Sequence, residues 1–239
     1  MKRFYKDVTV GEVDGGWQVL LDGRGLKSVG KRPQAVPTQA LAEVLAGEWA
    51  AQGEEIDPAS FLFRDLADYA IDVVANERDD VARSLVAYAE TDTLCYRGDE
   101  DEPLHQRQLD VWEPLLTSAE QRWDVHFERI SGIIHKPQPP ETLARMETIL
   151  SAENEFSLAA LKTLTSLSAS LVIALAAIAS DADPEELWLA ANLEEDWQAE
   201  LWGKDAEAED RREKRYAAFK AAMRFAALAR QQAREAGSS

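Results

Sequence analysis

The chain has 239 residues, enough for one large domain or for a small domain joined to a larger one. Its formal net charge is −18, from 44 acidic against 26 basic side chains, which argues against binding to nucleic acid or to an anionic membrane and favours a protein partner. Cys95 is the only cysteine, which excludes an internal disulfide or a CxxC pair and is typical of a reducing compartment.

The first residues carry no targeting signal that the sequence reveals. Residues 1–5 are followed at once by polar, strand-like sequence, with no apolar signal segment and no amphipathic presequence. We therefore expect the protein to stay where it is made.

The first third of the chain predicts β-structure. Short β-prone runs at 8–10, 17–21 and 26–29 are separated by glycine-containing turns at 14–16 and 22–25, which indicates a hairpin meander. A helix is then expected, because Thr38 is a good N-cap, and we predict that it runs to about Gln52. Together these elements predict a small, mostly β domain over residues 1–60.

From residue 57 onward helical periodicity dominates, so residues 61–239 are expected to form a larger α-helical domain. The fold class is therefore α+β. The exception is 127–135, which is predicted to be a strand that returns to the β part. The predicted helices cover about 64–76, 79–96, 103–124, 140–151, 155–179, 184–202 and 206–234.

The most apolar stretch, residues 158–179, approaches the length that spans a bilayer. Lys162 lies inside it and several Ser and Thr residues dilute it, so we predict a buried helix pair and no membrane insertion.

Polar side chains fall inside the apolar stripes of three predicted helices. In 39–52, Glu48 and Gln52 lie in the stripe with Trp49, and in 81–96, Asp92 lies near the stripe's centre. In 187–202, Glu194 and Gln198 lie at the middle of the stripe and Glu195 at its edge. The apolar members of that third stripe are Leu187, Ala190, Ala191, Trp197 and Leu201.

A carboxylate in such a position either meets a donor inside the protein or faces a partner that supplies one, because an unpaired buried charge is costly. An internal network is the more common case. Glu194 is the favoured exception, since Trp197 and Trp202 flank it and aromatic residues beside charges are typical of protein-binding hot spots.

Motifs of catalysis are missing from the sequence. It contains no P-loop and no GxSxG elbow, and its three histidines lack metal-binding spacing. We therefore predict a protein that is not an enzyme and needs no cofactor or metal. The alternative is an acidic helical enzyme that uses Asp92 and Glu194 with a metal or small ligand.

Five ordered blocks along the chain resemble the ATP-twelve family of assembly chaperones. They are 3–6 (RFYK), 21–27 (LDGRGLK), 48–52 (EWAAQ), 91–97 (TDTLCYR) and 193–203 (LEEDWQAELWG). The chain departs from the family pattern at 25–29, where the family tends toward proline and threonine, and at Ala50, where an acidic residue is common.

The resemblance implies a β-rich N-terminal part and a helical C-terminal part. It implies that the protein binds the free alpha subunit of the F-type ATP synthase catalytic head and is displaced when the beta subunit assembles. It also implies that Glu194 or Glu195 is important for that activity. Family counterparts act in the mitochondrial matrix, whereas a chain that begins without a presequence fits a bacterial, cytoplasmic member better. We expect this protein to be a monomer when free.

Overall fold

The computed structural model describes residues 1–132, 136–203 and 205–235 and confirms the α+β class. The chain divides into two compact units, each built from separate stretches of sequence. The first unit holds 1–78, 154–160 and 221 onward, and the second holds 79–153 and 161–220. The predicted division into domains 1–60 and 61–239 stays a prediction, because compact packing does not show which parts of the chain fold independently.

The sheet of the first unit begins with the predicted hairpin. Strand β1 (Val8–Val13) pairs antiparallel with β2 (Gly16–Leu21), and Gly15, with φ of 87°, makes the turn between them. Strands β3 (Arg24–Gly25) and β4 (Ala35–Val36) also pair with β2. The third strand thus comes before the predicted run at 26–29, of which only Lys27 makes an isolated bridge, to Pro33.

Helix α1 (Gln39–Ala50) packs against β1 and β2 through buried Leu41 and Leu45. It begins as predicted, because the hydroxyl of Thr38 accepts a hydrogen bond from the N–H of Leu41 at 3.1 Å. The same hydroxyl donates to the carbonyl of Leu228 at 3.0 Å, which ties the start of α1 to the C-terminal helix within the first unit.

The helices that follow are mostly short. They are α2 (Leu62–Tyr69), continued by a π-helical turn (Ala70–Val74), α3 (Arg78–Glu90), α4 (Pro103–Trp123), α5 (Pro140–Ser151), α6 (Glu155–Ser168), α7 (Leu171–Ala177), α8 (Pro184–Ala191), α9 (Leu193–Trp202) and α10 (Ala206–Glu235). Within the described ranges, no helix is long and apolar enough to cross a membrane.

Three predicted helices end early or break. The helix predicted over 79–96 stops at Glu90, and Asp92 has a non-helical backbone. The helix predicted over 155–179 breaks at Ala169, whose φ is 50°. The helix predicted over 184–202 breaks at Asn192, whose side-chain amide donates to the carbonyl of Trp188 at 2.8 Å and so competes with continued helix.

The strand predicted over 127–135 is shorter and lies elsewhere. Strand β6 (Ile130–Ser131) pairs in parallel with β5 (Tyr96–Arg97) inside the second unit and does not return to the N-terminal sheet. Residues 133–135 of that prediction lie outside the described ranges.

Candidate functional site

Glu48 caps the start of the neighbouring helix. Its Oε1 accepts from the N–H of Phe63 at 2.8 Å and its Oε2 from the N–H of Arg64 at 2.9 Å, both in the first turn of α2. Burial raises the pKa of this carboxyl, while the backbone hydrogen bonds oppose the rise. The structure thus gives Glu48 donors inside the protein.

Gln52 and Trp49 also face inward. The buried amide of Gln52 donates to the hydroxyl of Ser60 at 2.8 Å and accepts from the N–H of Asp57 at 2.8 Å, so it shapes the loop after α1. The ring of Trp49 packs on Phe61, with ring centroids 4.6 Å apart. Both residues therefore stabilise the first unit.

Asp92 is fully buried, but it lies after α3 rather than on a helical stripe. Its Oδ1 accepts from the N–H of Leu94 at 3.1 Å, and its Oδ2 accepts from the N–H of Val172 at 3.0 Å. Burial raises the pKa of Asp92 to about 6, against the opposing effect of these hydrogen bonds. The side chain thus supplies a negative partner for the first turn of α7.

Helix α9 presents a mixed apolar and acidic surface to solvent. Trp202 is 78% exposed and Leu201 is 56% exposed, and the nearby side chains of Glu194, Glu195 and Gln198 are exposed as well. At 3.6 residues per turn, these five residues lie within about a third of the helix circumference. We call them the α9 patch.

One expectation about this region is corrected. Leu201, expected in a buried stripe, is 56% exposed, and Glu194 and Gln198, which lie on the same side of α9, are exposed with it. The predicted stripe assumes one continuous helix, whereas α8 ends at Ala191 and α9 begins at Leu193. The asparagine, which competes with helical backbone bonds, was the signal that could have revealed this break.

Trp197 borders the patch on α9 but is less exposed than its five members. It is half-buried, and the guanidinium of Arg107 lies 5.6 Å from the centre of its ring. Arg107 also forms an ion pair with Glu200 at 2.7 Å, and Arg212 pairs with Asp196. The structure therefore separates Trp197 from Trp202, which the sequence had grouped around Glu194.

Glu194 is exposed as a residue, yet one of its oxygens is engaged by the protein. Its Oε1 accepts from the Nε2 of Gln108 at 2.7 Å, and Gln108 itself is fully buried on α4. Partial burial of the carboxyl raises its pKa, and the Gln108 hydrogen bond opposes that effect. Glu195 is freer, since its closest cation, Arg215, is 3.6 Å away.

An apolar groove of about 400 Å³ lies between α4, α8 and α9. Half-exposed Leu189 is part of its lining, together with Leu193, Val111 and Pro114. Pro114 sits inside α4 and has no N–H, so the carbonyl of Asp110 loses its usual helical partner beside the groove. The groove therefore has an apolar wall, and its lining also includes the charged residues Arg107, Asp110, Glu186 and Asp196.

Among the residues that the structure describes, no group of three His, Cys, Asp or Glu side chains could hold a metal ion. Cys95 is buried, and its burial raises the pKa of the thiol far above the usual range, so it is held as an unreactive thiol.

Known proteins match this chain along most of its length. A family model described as ATP12 chaperone protein matches residues 2–120. The mitochondrial protein atp12 of Schizosaccharomyces pombe is 27% identical over 214 residues, which is 84% of this chain and 74% of that protein.

Solved structures agree with the same fold. The crystal structure of Atp12 from Paracoccus denitrificans has a TM-score of 0.90 and 38% identity, covering 96% of this chain and 98% of its own, and an aspartate-to-lysine mutant of that protein matches equally. The Atu1473 protein of Agrobacterium tumefaciens, described as a candidate chaperone, has a TM-score of 0.91 and 39% identity, covering 95% of this chain and 85% of its own. Since fold and sequence agree over almost the whole length, this chain belongs to the ATP12 family of chaperones.

Proposed function

We propose that this protein is a chaperone that binds the unassembled alpha subunit of the F-type ATP synthase catalytic head. It keeps that subunit from aggregating and is displaced when the beta subunit assembles. The observation that carries the proposal for the contact surface is the α9 patch, where Trp202 and Leu201 are exposed beside Glu194 and Glu195. Large exposed apolar side chains beside charges are typical of protein-binding surfaces.

The chemistry of the patch suits a transient partner. Trp202 and Leu201 offer apolar area to the interface that an unassembled subunit leaves uncovered. Glu194 and Glu195 add attraction to an Arg or Lys of the client, which increases the association rate and the specificity without requiring extreme affinity. Gln198 lies among them as a further hydrogen-bonding group, and Trp197, next to the patch on α9, contacts Arg107.

We expect the protein to work as a monomer in the compartment where its client is made, which is the cytoplasm in a bacterium. The alternative, an enzyme that uses Asp92 and Glu194, has weaker support. Asp92 is fully buried and both of its oxygens accept backbone hydrogen bonds, so its carboxylate is not open to a substrate. Metal analysis of the purified protein tests this: stoichiometric bound metal would favour the enzyme.

The direct test is co-expression with the isolated alpha subunit of the same organism, followed by size-exclusion chromatography before and after the beta subunit is added. A soluble complex that is lost when the beta subunit is added supports the proposal. An aggregated alpha subunit, with this protein eluting alone, refutes it.

The contact surface is tested by variants that keep the fold. Glu194→Gln retains an acceptor for Gln108 and removes only the charge, whereas Glu194→Lys would also leave the buried Gln108 amide without its partner. We expect Glu194→Gln, Glu195→Lys and Trp202→Ser each to weaken the complex. Glu213→Gln, at an exposed position of α10, is the matched control and should bind like wild type. Wild-type affinity in all the patch variants would show that the client binds elsewhere.

A further inference from the structure

Positive charge is concentrated at the start of this acidic chain. Residues 1–36 hold seven Lys or Arg side chains against four Asp or Glu, a net charge of +3. Residues 37–239 hold nineteen against forty, a net charge of −21. A local surface whose sign opposes that of the whole molecule attracts ligands that the rest of the protein repels.

Some of these cations border a cavity of about 400 Å³ in the first unit. Its floor is apolar, with Tyr5 and Leu21 buried and Leu26 half-buried. Its edge carries Phe4, which is 63% exposed, and the exposed side chains of Arg24 and Lys27. We call this cavity the N-terminal groove, defined by Phe4, Tyr5, Leu21, Arg24, Leu26 and Lys27.

The walls of the groove are held together by Asp22. It lies in the tight turn before β3, with φ of 49°, followed by Gly23 with φ of 77°. Its Oδ1 accepts from the N–H of Asp7 at 2.8 Å and from the N–H of Lys6 at 3.0 Å, and these two hydrogen bonds lower the pKa of the carboxyl. The segment before β1 is thereby fixed against the turn, so the groove is formed before a ligand arrives.

The two cations at the edge are available to a ligand. Neither Arg24 nor Lys27 forms an ion pair within 4 Å in the part of the chain that the structure describes. Asp22 also lines the groove near Arg24, and its carboxylate leaves the three charged lining residues with a net charge of +1. An apolar floor with cations at its edge fits an apolar side chain flanked by carboxylates.

We propose that the N-terminal groove binds a segment of the client in which an apolar side chain is flanked by Asp or Glu. The proposal rests on the function above for the identity of the client and adds a second contact, opposite in charge to the α9 patch. A client that satisfies both contacts must present both signs of charge, which makes recognition more selective than one acidic surface would. Nucleic acid and anionic membrane fit less well, because the remaining net charge of −21 repels both.

The test compares two doubly substituted proteins with equal changes in net charge. Arg24→Glu with Lys27→Glu reverses the edge of the groove, and Lys136→Glu with Lys214→Glu reverses two exposed lysines elsewhere. We expect the groove variant to bind the alpha subunit at least about fivefold more weakly, with a reduced salt dependence, and the control to bind like wild type. Arg24→Gln with Lys27→Gln repeats the test if the reversal disturbs folding.

A second measurement does not depend on the client. A capped five-residue peptide with two glutamates around a central leucine is titrated against the full protein, and backbone amide shifts are followed at Gly25 and Leu26. We expect shifts that saturate at millimolar peptide, that vanish in the Arg24→Gln, Lys27→Gln variant, and that the lysine version of the peptide does not produce.

The outcomes separate the two proposals. Client binding that is unchanged in both groove variants overturns the inference while leaving the proposed function intact. If the wild-type protein fails to bind the alpha subunit, the proposed function fails, and the peptide titration alone tests the inference about the groove. The absence of amide shifts at Gly25 and Leu26 would then overturn that inference. Equal shifts from RNA oligonucleotides or anionic vesicles would overturn the assignment to an acidic protein segment.

Discussion

Asp92 holds the first turn of α7 across 80 residues of sequence, through a 3.0 Å hydrogen bond from the N–H of Val172 to its Oδ2. The other oxygen, Oδ1, accepts from Leu94 in the turn that follows Asp92 itself. Helix α7 has only seven residues, so the loss of one donor–acceptor pair at its start affects a large share of its backbone bonding. One buried carboxylate thus joins two loops of the second unit.

Replacing Asp92 by Asn should destabilise the protein by about 1 to 3 kcal/mol. The amide of Asn offers one acceptor where the carboxylate offers two, and its NH₂ group would face an N–H that then has no partner. Urea unfolding measures this loss. Asp101→Asn, at an exposed loop position, is the control and should change stability by less than about 0.5 kcal/mol.

The stabilisation that involves Asp92 should depend on pH in an unusual direction. Its folded pKa of about 6 lies above the ordinary value of 3.8, so folding takes up a proton between these values. The contribution of this proton uptake to the free energy of unfolding is complete below pH 3.8 and is lost as pH rises through about 6. The stability of wild type relative to Asp92→Asn should therefore increase as pH falls from 7 to 4, by an amount on the order of 3 kcal/mol.

Only this difference isolates Asp92 from the other carboxylates. Arg129 and Arg97 hold the pKa of Glu113 at about 2. The contribution of Glu113 to folding stability is therefore lost as pH falls, whereas that of Asp92 is gained. Both proteins contain Glu113, and its effect cancels in the comparison. A difference that is flat across pH 4 to 7 would show that Asp92 keeps an ordinary pKa in the folded protein.

Glu48 performs for α2 what Asp92 performs for α7. Glu48→Gln should destabilise the first unit by about 1 to 2 kcal/mol, because one of the two N–H groups of Phe63 and Arg64 would face a side-chain NH₂. Glu43→Gln, on the exposed side of the same helix, is the matched control, since the hydrogen bond that Glu43 accepts comes from the exposed side chain of Gln39. Thermal unfolding of both variants compares them; equal stability would contradict the capping role.

Local signals explain which elements the sequence predicts well. Helices α1, α4, α5 and α10 begin and end within about two residues of their predictions. Thr38, Pro103 and Pro140 lie at the starts of three of them, where a capping hydroxyl or a proline favours helix initiation. The β-hairpin is predicted equally well, because Gly15 and Gly16 mark its turn.

The missed boundaries depend on contacts between distant parts of the chain. Nothing near Asp92 in sequence indicates that its carboxylate will meet α7, and the apolar pattern continues past it to Cys95. Helix α8 ends before Asn192, α9 begins after it and Leu201 is exposed, so the candidate site differs from the predicted stripe although the sequence predicts most of its residues. Periodicity cannot reveal a change of helix phase that a side-chain amide introduces.

Most substitutions lower the stability of a protein, but at the break between α6 and α7 we predict one that raises it. Ala169 has a φ of 50°, in the left-handed region that costs a non-glycine residue about 1 to 2 kcal/mol, and it is exposed. Ala169→Gly removes that cost but makes the unfolded chain more flexible by about 0.4 to 1 kcal/mol. We therefore expect a net stabilisation of up to about 1 kcal/mol, measured by urea unfolding.

An alanine-to-glycine substitution in the middle of a helix is the control for Ala169→Gly. Ala144 is exposed in the middle of α5, where Ala144→Gly should destabilise by about 1 kcal/mol. The carbonyl of Ala169 accepts from the N–H of Thr93 at 3.2 Å and from its hydroxyl at 2.9 Å, and these contacts keep the left-handed turn in place for either residue. If both glycine variants lose the same stability, the turn at Ala169 carries no strain, and the Thr93 and Asp92 contacts alone set where α6 ends.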